Sequence, residues 1–145
     1  MNTRQDQAIE YFDSGFNCAQ SVLSVFCENY GLSKEMARKI ACGLGGGCRS
    51  GEVCGAASGA VIVVGLKYGH NQADDVKSKK NCYAKTVELL DAFRVENRSV
   101  VCRDILGFDI STEEGSKQAQ SRNLFKTICF DLVKSAVSIL ENSGY

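Results

Sequence analysis

Gly51-Glu52-Val53-Cys54-Gly55-Ala56-Ala57-Ser58-Gly59-Ala60-Val61-Ile62-Val63-Val64-Gly65-Leu66-Lys67-Tyr68-Gly69 decides the fold. From Val53 to Leu66 the chain runs fourteen residues with Ser58 as its one polar interruption. Val61–Val64 alone reads as a strand. The length of the run and its regularly spaced small residues predict a helix over 53–68 instead. A helix apolar on nearly every side is a buried one. Gly51, Gly55 and Gly59 recur every fourth residue and clear one face for a close neighbour. That neighbour lies inside the monomer or across a two-fold axis, so a homodimer is expected. A membrane-spanning helix needs ~18 or more apolar residues, and this run stops short, so no membrane partner is expected.

Helices are predicted on either side. A weak amphipathic one covers 4–13. Asn17 caps a second over 18–30, with Cys18, Ala19, Val22, Leu23, Phe26 and Tyr30 inward and Gly31 closing it. Ser33 caps a third over 34–43, with Ala37, Ile40, Ala41 and Leu44 inward. After Gly69 a long polar helix spans 73–97, its inner stripe Cys82, Tyr83, Thr86, Leu89, Leu90 and Phe93. Ser99 caps a short helix over 100–106, closed by Gly107. Ser111 and Glu114 fit a capping box. Thr127 caps the last helix, 128–142, with Cys129, Leu132, Val133, Ala136 and Leu140 inward. No β alternation competes. The expected fold is all-α, one single-domain helical bundle over 1–145 with a buried central helix, onto which the helices 18–30 and 128–142 pack.

Composition narrows the function. The chain has 145 residues, 44% hydrophobic and 23% charged, with 17 basic and 17 acidic side chains. Such balance gives no electrostatic footprint for nucleic acid. The first ten residues hold no apolar run of the kind that opens an export signal, so the expected location is cytoplasmic. Proline is absent, and cysteine occurs eight times. In a reducing cytosol most of those thiols stay free.

Four cysteines share a position type. Cys18 follows Asn17, Cys54 opens the buried helix, Cys102 follows Ser99, and Cys129 follows Thr127. Each falls near unpaired N–H groups and the positive end of a helix dipole, which favours thiolate. Thiolates are nucleophiles of redox chemistry and ligands of soft metals. Against this stands cysteine as a small buried hydrophobe. Cys27 is half a turn out of phase with Cys18, Cys82 lies on a core stripe, and Cys42 and Cys48 flank the glycine loop 43–51. His70 is the one histidine, so histidine-based triads and metal sites find little support. There is no Cys-x-x-Cys. Gly43–Gly47 lacks the lysine of a phosphate-binding loop and is expected to be a flexible turn.

Phe16-Asn17-Cys18-Ala19-Gln20, Cys54-Gly55-Ala56-Ala57-Ser58-Gly59, Cys102-Arg103-Asp104-Ile105-Leu106-Gly107 and Cys129 resemble the C-GCAxxG-C-C family over about 16–140. Its members are small bacterial and archaeal proteins described as redox-active. The resemblance carries onto Cys18, Cys54, Cys102 and Cys129 and implies a small-molecule or protein redox partner, one related to transporters included. Three functions follow as expectations. The first is thiol–disulfide chemistry with Cys54 attacking and Cys18, Cys102 or Cys129 resolving. The second is a metal ion or iron–sulfur cluster held by the same four thiolates. The third is an interaction module with inert cysteines. For either site reading, at least two of the four must lie within pairing distance, beside a cavity near Cys54, with Cys27 and Cys82 outside.

Overall fold

In the computed structural model, which describes residues 2–145, the decisive stretch is a helix, α4 (Gly55–Tyr68). Gly55, Ala56, Ala57, Gly59, Ala60, Val63 and Val64 are buried, while Val61, Ile62 and Leu66 are half-buried. It is central, as expected, but one side is only partly covered. Around it stand α1 (Arg4–Ser14), α2 (Cys18–Ser24), α3 (Lys34–Ala41), α5 (Val76–Asn97) and α8 (Ile128–Asn142). Two short helices, α6 (Cys102–Leu106) and α7 (Glu113–Ser121), cross the remaining end. α2, α5 and α8 all pack on α4. Phe26, Phe93, Leu23 and Leu140 fill the space between them and are essentially inaccessible. Each such side chain contributes about 1.5–3 kcal/mol of burial.

The glycine face of α4 is used within the chain. A Cβ on Gly59 would stand 2.7 Å from the Ala19 carbonyl oxygen and 2.9 Å from its Cα. One on Gly55 would stand 2.5 Å from Cys18 Sγ. The absence of those two methyl groups lets α2 lie backbone-to-backbone on α4. Gly51 precedes the helix and faces Asp109, so it is not part of that face.

Several local expectations are corrected. α2 stops at Ser24 rather than running to 30. The Phe26 N–H reaches back only to Leu23 O, and a tight 3₁₀ turn, Cys27–Tyr30, follows before Gly31. The β-branched and aromatic pair Val25-Phe26 is a poor place to extend a helix. Ile40 is exposed rather than inward. α3 touches its neighbours through Ala37 and Ala41, and Ile40 lies about 80° around the helix from their midline. Tyr83 is also exposed, because α5 turns only Leu89 and Phe93 fully inward. Thr112, not Ser111, caps α7, accepting from Gly115 N–H. Val101, not Ser99, holds the cap position of α6.

Residues 52–54 and 100–102 form an isolated antiparallel bridge, Val53 to Val101. Cys54 N–H donates to Val100 O and Cys102 N–H donates to Glu52 O, both at 2.6 Å. An ion pair of 2.6 Å between Arg103 and Glu52 closes the same seam from outside.

Candidate redox site

All four first-turn cysteines line one cavity of about 120 Å³. They occupy equivalent places: Cys54 is the N-cap of α4, Cys18 and Cys102 are the first residues of α2 and α6, and Cys129 is the second of α8. Phe12, Leu106, Ile110, Phe125 and Leu132 supply an apolar wall, and Arg49 borders it as the one cationic side chain. All eight thiols are free. Cys27 is buried elsewhere in the core, Cys82 is half-buried on α5, and Cys42 and Cys48 are exposed, so none of these four lines the cavity.

Local chemistry fixes Cys18. The Asn17 side chain accepts from Gln20 N–H at 2.9 Å, and Gln20 Oε1 accepts from Asn17 N–H at 2.9 Å, a reciprocal cap. The two side chains also donate outward, Asn17 to Cys42 O and Gln20 to Arg38 O. The start of α2 is thereby tied to the end of α3 and to the glycine loop behind it. That loop is no flexible turn. Gly46, Gly47, Cys48 and Arg49 have φ of 66°, 66°, 60° and 56°, four left-handed residues in succession. For Cys48 and Arg49 this costs about 1–2 kcal/mol each. The turn carries the Gly46 N–H to the Cys18 sulfur and brings Arg49 back over Gly46.

The four thiols differ in proton affinity. Cys18 is lowered to about 7, first because the Cys54 thiol donates to it, against the opposing cost of burial, and then by the N–H groups of Gly46, Ala19 and Cys18 itself. Cys54 is raised well above the ordinary thiol range, first by that same bond, then by burial and the Cys18 charge. The N–H groups of Ala56 and Ala57 pull it the other way. Burial raises Cys102 to about 11 and Cys129 to about 12, each with a further rise from the Cys18 charge. The expectation that all four helix starts favour thiolate is thus corrected. The dipole favours charge, but loss of solvent is the largest opposing cause at Cys102 and Cys129, and the interaction with Cys18 is at Cys54. Cys18 is the one of the four whose pKa is lowered.

Among the described residues no three His, Cys, Asp or Glu side chains are arranged to hold a metal ion. Cys18, Cys54, Cys102 and Cys129 share a cavity, but no three of them are arranged as metal ligands. No helix among the described residues is long and apolar enough to cross a membrane. Arg49, Gly46 and the bridge were not singled out from the sequence. Only the arginine next to a glycine cluster gave any signal.

Four N-terminal cysteines converging on one apolar cavity match a redox-active class of protein. The chain belongs to the C_GCAxxG_C_C family, described as "putative redox-active protein", whose model matches residues 16–143. The family's name spells Gly-Cys-Ala-x-x-Gly, whereas this chain has Cys54-Gly55-Ala56-Ala57-Ser58-Gly59. No curated protein and no solved structure matches the chain.

Proposed function

We propose that the protein is a thiol–disulfide oxidoreductase in which Cys18 attacks and Cys54 resolves. The observation that carries this reading is the meeting of Cys18 and Cys54 at one cavity, with the Cys18 sulfur packed against Gly55; a Cys18 pKa lowered to about 7 agrees with it. At neutral pH roughly half of Cys18 is thiolate, close to the optimum for an attacking thiol. Cys18 attacks one sulfur of a substrate disulfide. The substrate S–S bond breaks, one half leaves as thiolate, and the other half stays on Cys18 as a mixed disulfide. The Cys18 charge is then gone, and with it the main cause that held the proton on Cys54. Cys54 gives its proton to the departed thiolate and attacks the Cys18 sulfur. The second half leaves as thiolate, and a Cys18–Cys54 disulfide remains. Cys54 is thus kept protonated until the mixed disulfide forms.

The cycle needs a thiol reductant to reopen the disulfide, which the cytoplasm supplies. The test is the pH dependence of iodoacetamide alkylation, mapped residue by residue. Cys18 should titrate near 7, and limited oxidation of protein carrying Cys102→Ser and Cys129→Ser should give Cys18–Cys54. A Cys18 midpoint at the free-thiol value of about 8.5, or no disulfide between these two, would overturn the assignment.

A further inference from the structure

We propose that Cys102 and Cys129 form a second dithiol that takes over the oxidation from the Cys18–Cys54 disulfide by exchange within the cavity. This rests on the reading of Cys18 and Cys54 above and assigns a role to the two remaining thiols. Cys102, Leu106 and Cys129 form a buried cluster of their own, with Phe12, Phe125 and Ile128 packed on it, apart from the main core. Both thiols line the same cavity as the first pair. The antiparallel bridge gives a point of transfer. Side chains alternate across paired strands, so Cys54 and Cys102, one on either side of the bridged Val53 and Val101, share a face as diagonal neighbours. The two 2.6 Å hydrogen bonds flanking the bridge hold them there.

The exchange balances without an outside oxidant. Cys102, as thiolate, attacks the Cys54 sulfur. The Cys18–Cys54 bond breaks, and Cys18 leaves with the electron pair. Cys129 then attacks the Cys102 sulfur, and Cys54 leaves and is reprotonated. One disulfide and two thiols become two thiols and one disulfide. The protons lost by Cys102 and Cys129 end on Cys54 and on Cys18 or solvent. Cys18 is the better leaving group, since the thiol of lower pKa departs faster. Arg49 is the cation that favours ionisation of Cys102. The directions of the pKa shifts favour transfer in this sense. A dithiol whose reduced form is stabilised as thiolate makes an oxidising disulfide, which describes Cys18 with Cys54. The second pair sits where burial opposes charge, and a neutral disulfide suits that place. The transfer frees Cys18 for another substrate molecule, so the chain accepts two disulfide equivalents.

The test uses an aromatic disulfide whose released thiolate is coloured, on protein with the exposed Cys42 and Cys48 changed to serine. Each protein disulfide formed releases two molar equivalents of colour. Four equivalents are expected from this protein and two from the same protein carrying Cys102→Ser or Cys129→Ser. With one molar equivalent of oxidant on the unaltered chain, peptide mapping should find Cys102–Cys129. In the Cys129→Ser protein it should find Cys18–Cys54. Persistence of Cys18–Cys54 in the unaltered chain would overturn the proposal. So would a Cys18→Ser protein that forms Cys102–Cys129 at an undiminished rate. Failure of the underlying reading looks different: Cys18–Cys54 would then be missing from the Cys129→Ser protein itself.

Discussion

Three glycines of α4 carry the same intrinsic liability and should respond to alanine in different ways. An interior helical glycine costs about 0.8–1.0 kcal/mol relative to alanine. At Gly65 a new Cβ meets nothing within 4 Å, so Gly65→Ala should recover most of that, about 0.5–1 kcal/mol. At Gly59 the same Cβ would lie 2.7 Å from Ala19 O and 2.9 Å from Ala19 Cα. Both atoms are backbone, so no rotamer change relieves the contact and α2 must move off α4. Overpacking of this kind costs about 1–3 kcal/mol. The gap between the two variants should therefore be about 1–3 kcal/mol, or about 3–10 °C in Tm for a chain of this size. At Gly55 the obstacle is Cys18 Sγ, 2.5 Å away. Gly55→Ala should displace that sulfur from its N–H partners and raise the Cys18 alkylation midpoint. Urea or thermal denaturation followed by far-ultraviolet circular dichroism reads the first two variants. If Gly59→Ala proved as stabilising as Gly65→Ala, the close contact of α2 with α4 would be wrong, and with it the placement of Cys18.

Removing the donor in Cys54→Ala should raise the Cys18 midpoint by at least about one unit, which cuts its thiolate fraction at pH 7 about fivefold. Alkylation rates against pH should show that loss at pH 7 and converge with the parent above about pH 9; an unmoved midpoint would contradict the bond. Burial raises Cys129 to about 12, so its contribution to stability is intact below the unfolded value of about 8.5 and is lost as pH rises toward the folded one. Across that window Cys129→Ala should flatten the alkaline fall in stability by about 1.4 kcal/mol per pH unit, measured by urea unfolding at successive pH values. Cys18 works in the opposite sense. Its lowered value of about 7 gives stability that is present above about 8.5 and lost as pH falls through 7. Arg103→Met removes an exposed ion pair with Glu52 and should change global stability by less than about 1 kcal/mol. Amide exchange at Cys54 and Cys102 should nonetheless quicken, and unchanged exchange would mean that the clamp does not hold the bridge.

What could be read from the sequence was what is local to it. Asn17 and Ser33 mark helix starts because a cap is satisfied within three residues. The four cysteines at helix starts were legible for the same reason, as was the central run of α4. The bridge was not, because single paired residues on each strand leave no alternation to detect. The left-handed turn was hidden because two of its four members are Cys48 and Arg49, side chains that seldom adopt that conformation. The identity of the reactive thiol was hidden more deeply. Each helix start offers its cysteine a comparable field, so the sequence ranks Cys54 no lower than Cys18. Two tertiary features separate them. The Gly46 N–H, delivered by the strained loop, reaches Cys18, and between two thiols in one largely apolar cavity only one can be charged at modest cost. Once Cys18 takes the charge, its field raises Cys54, Cys102 and Cys129 together. On the proposed reading the site is one thiolate and three reserve thiols, an asymmetry created by convergence rather than by any of the four motifs alone.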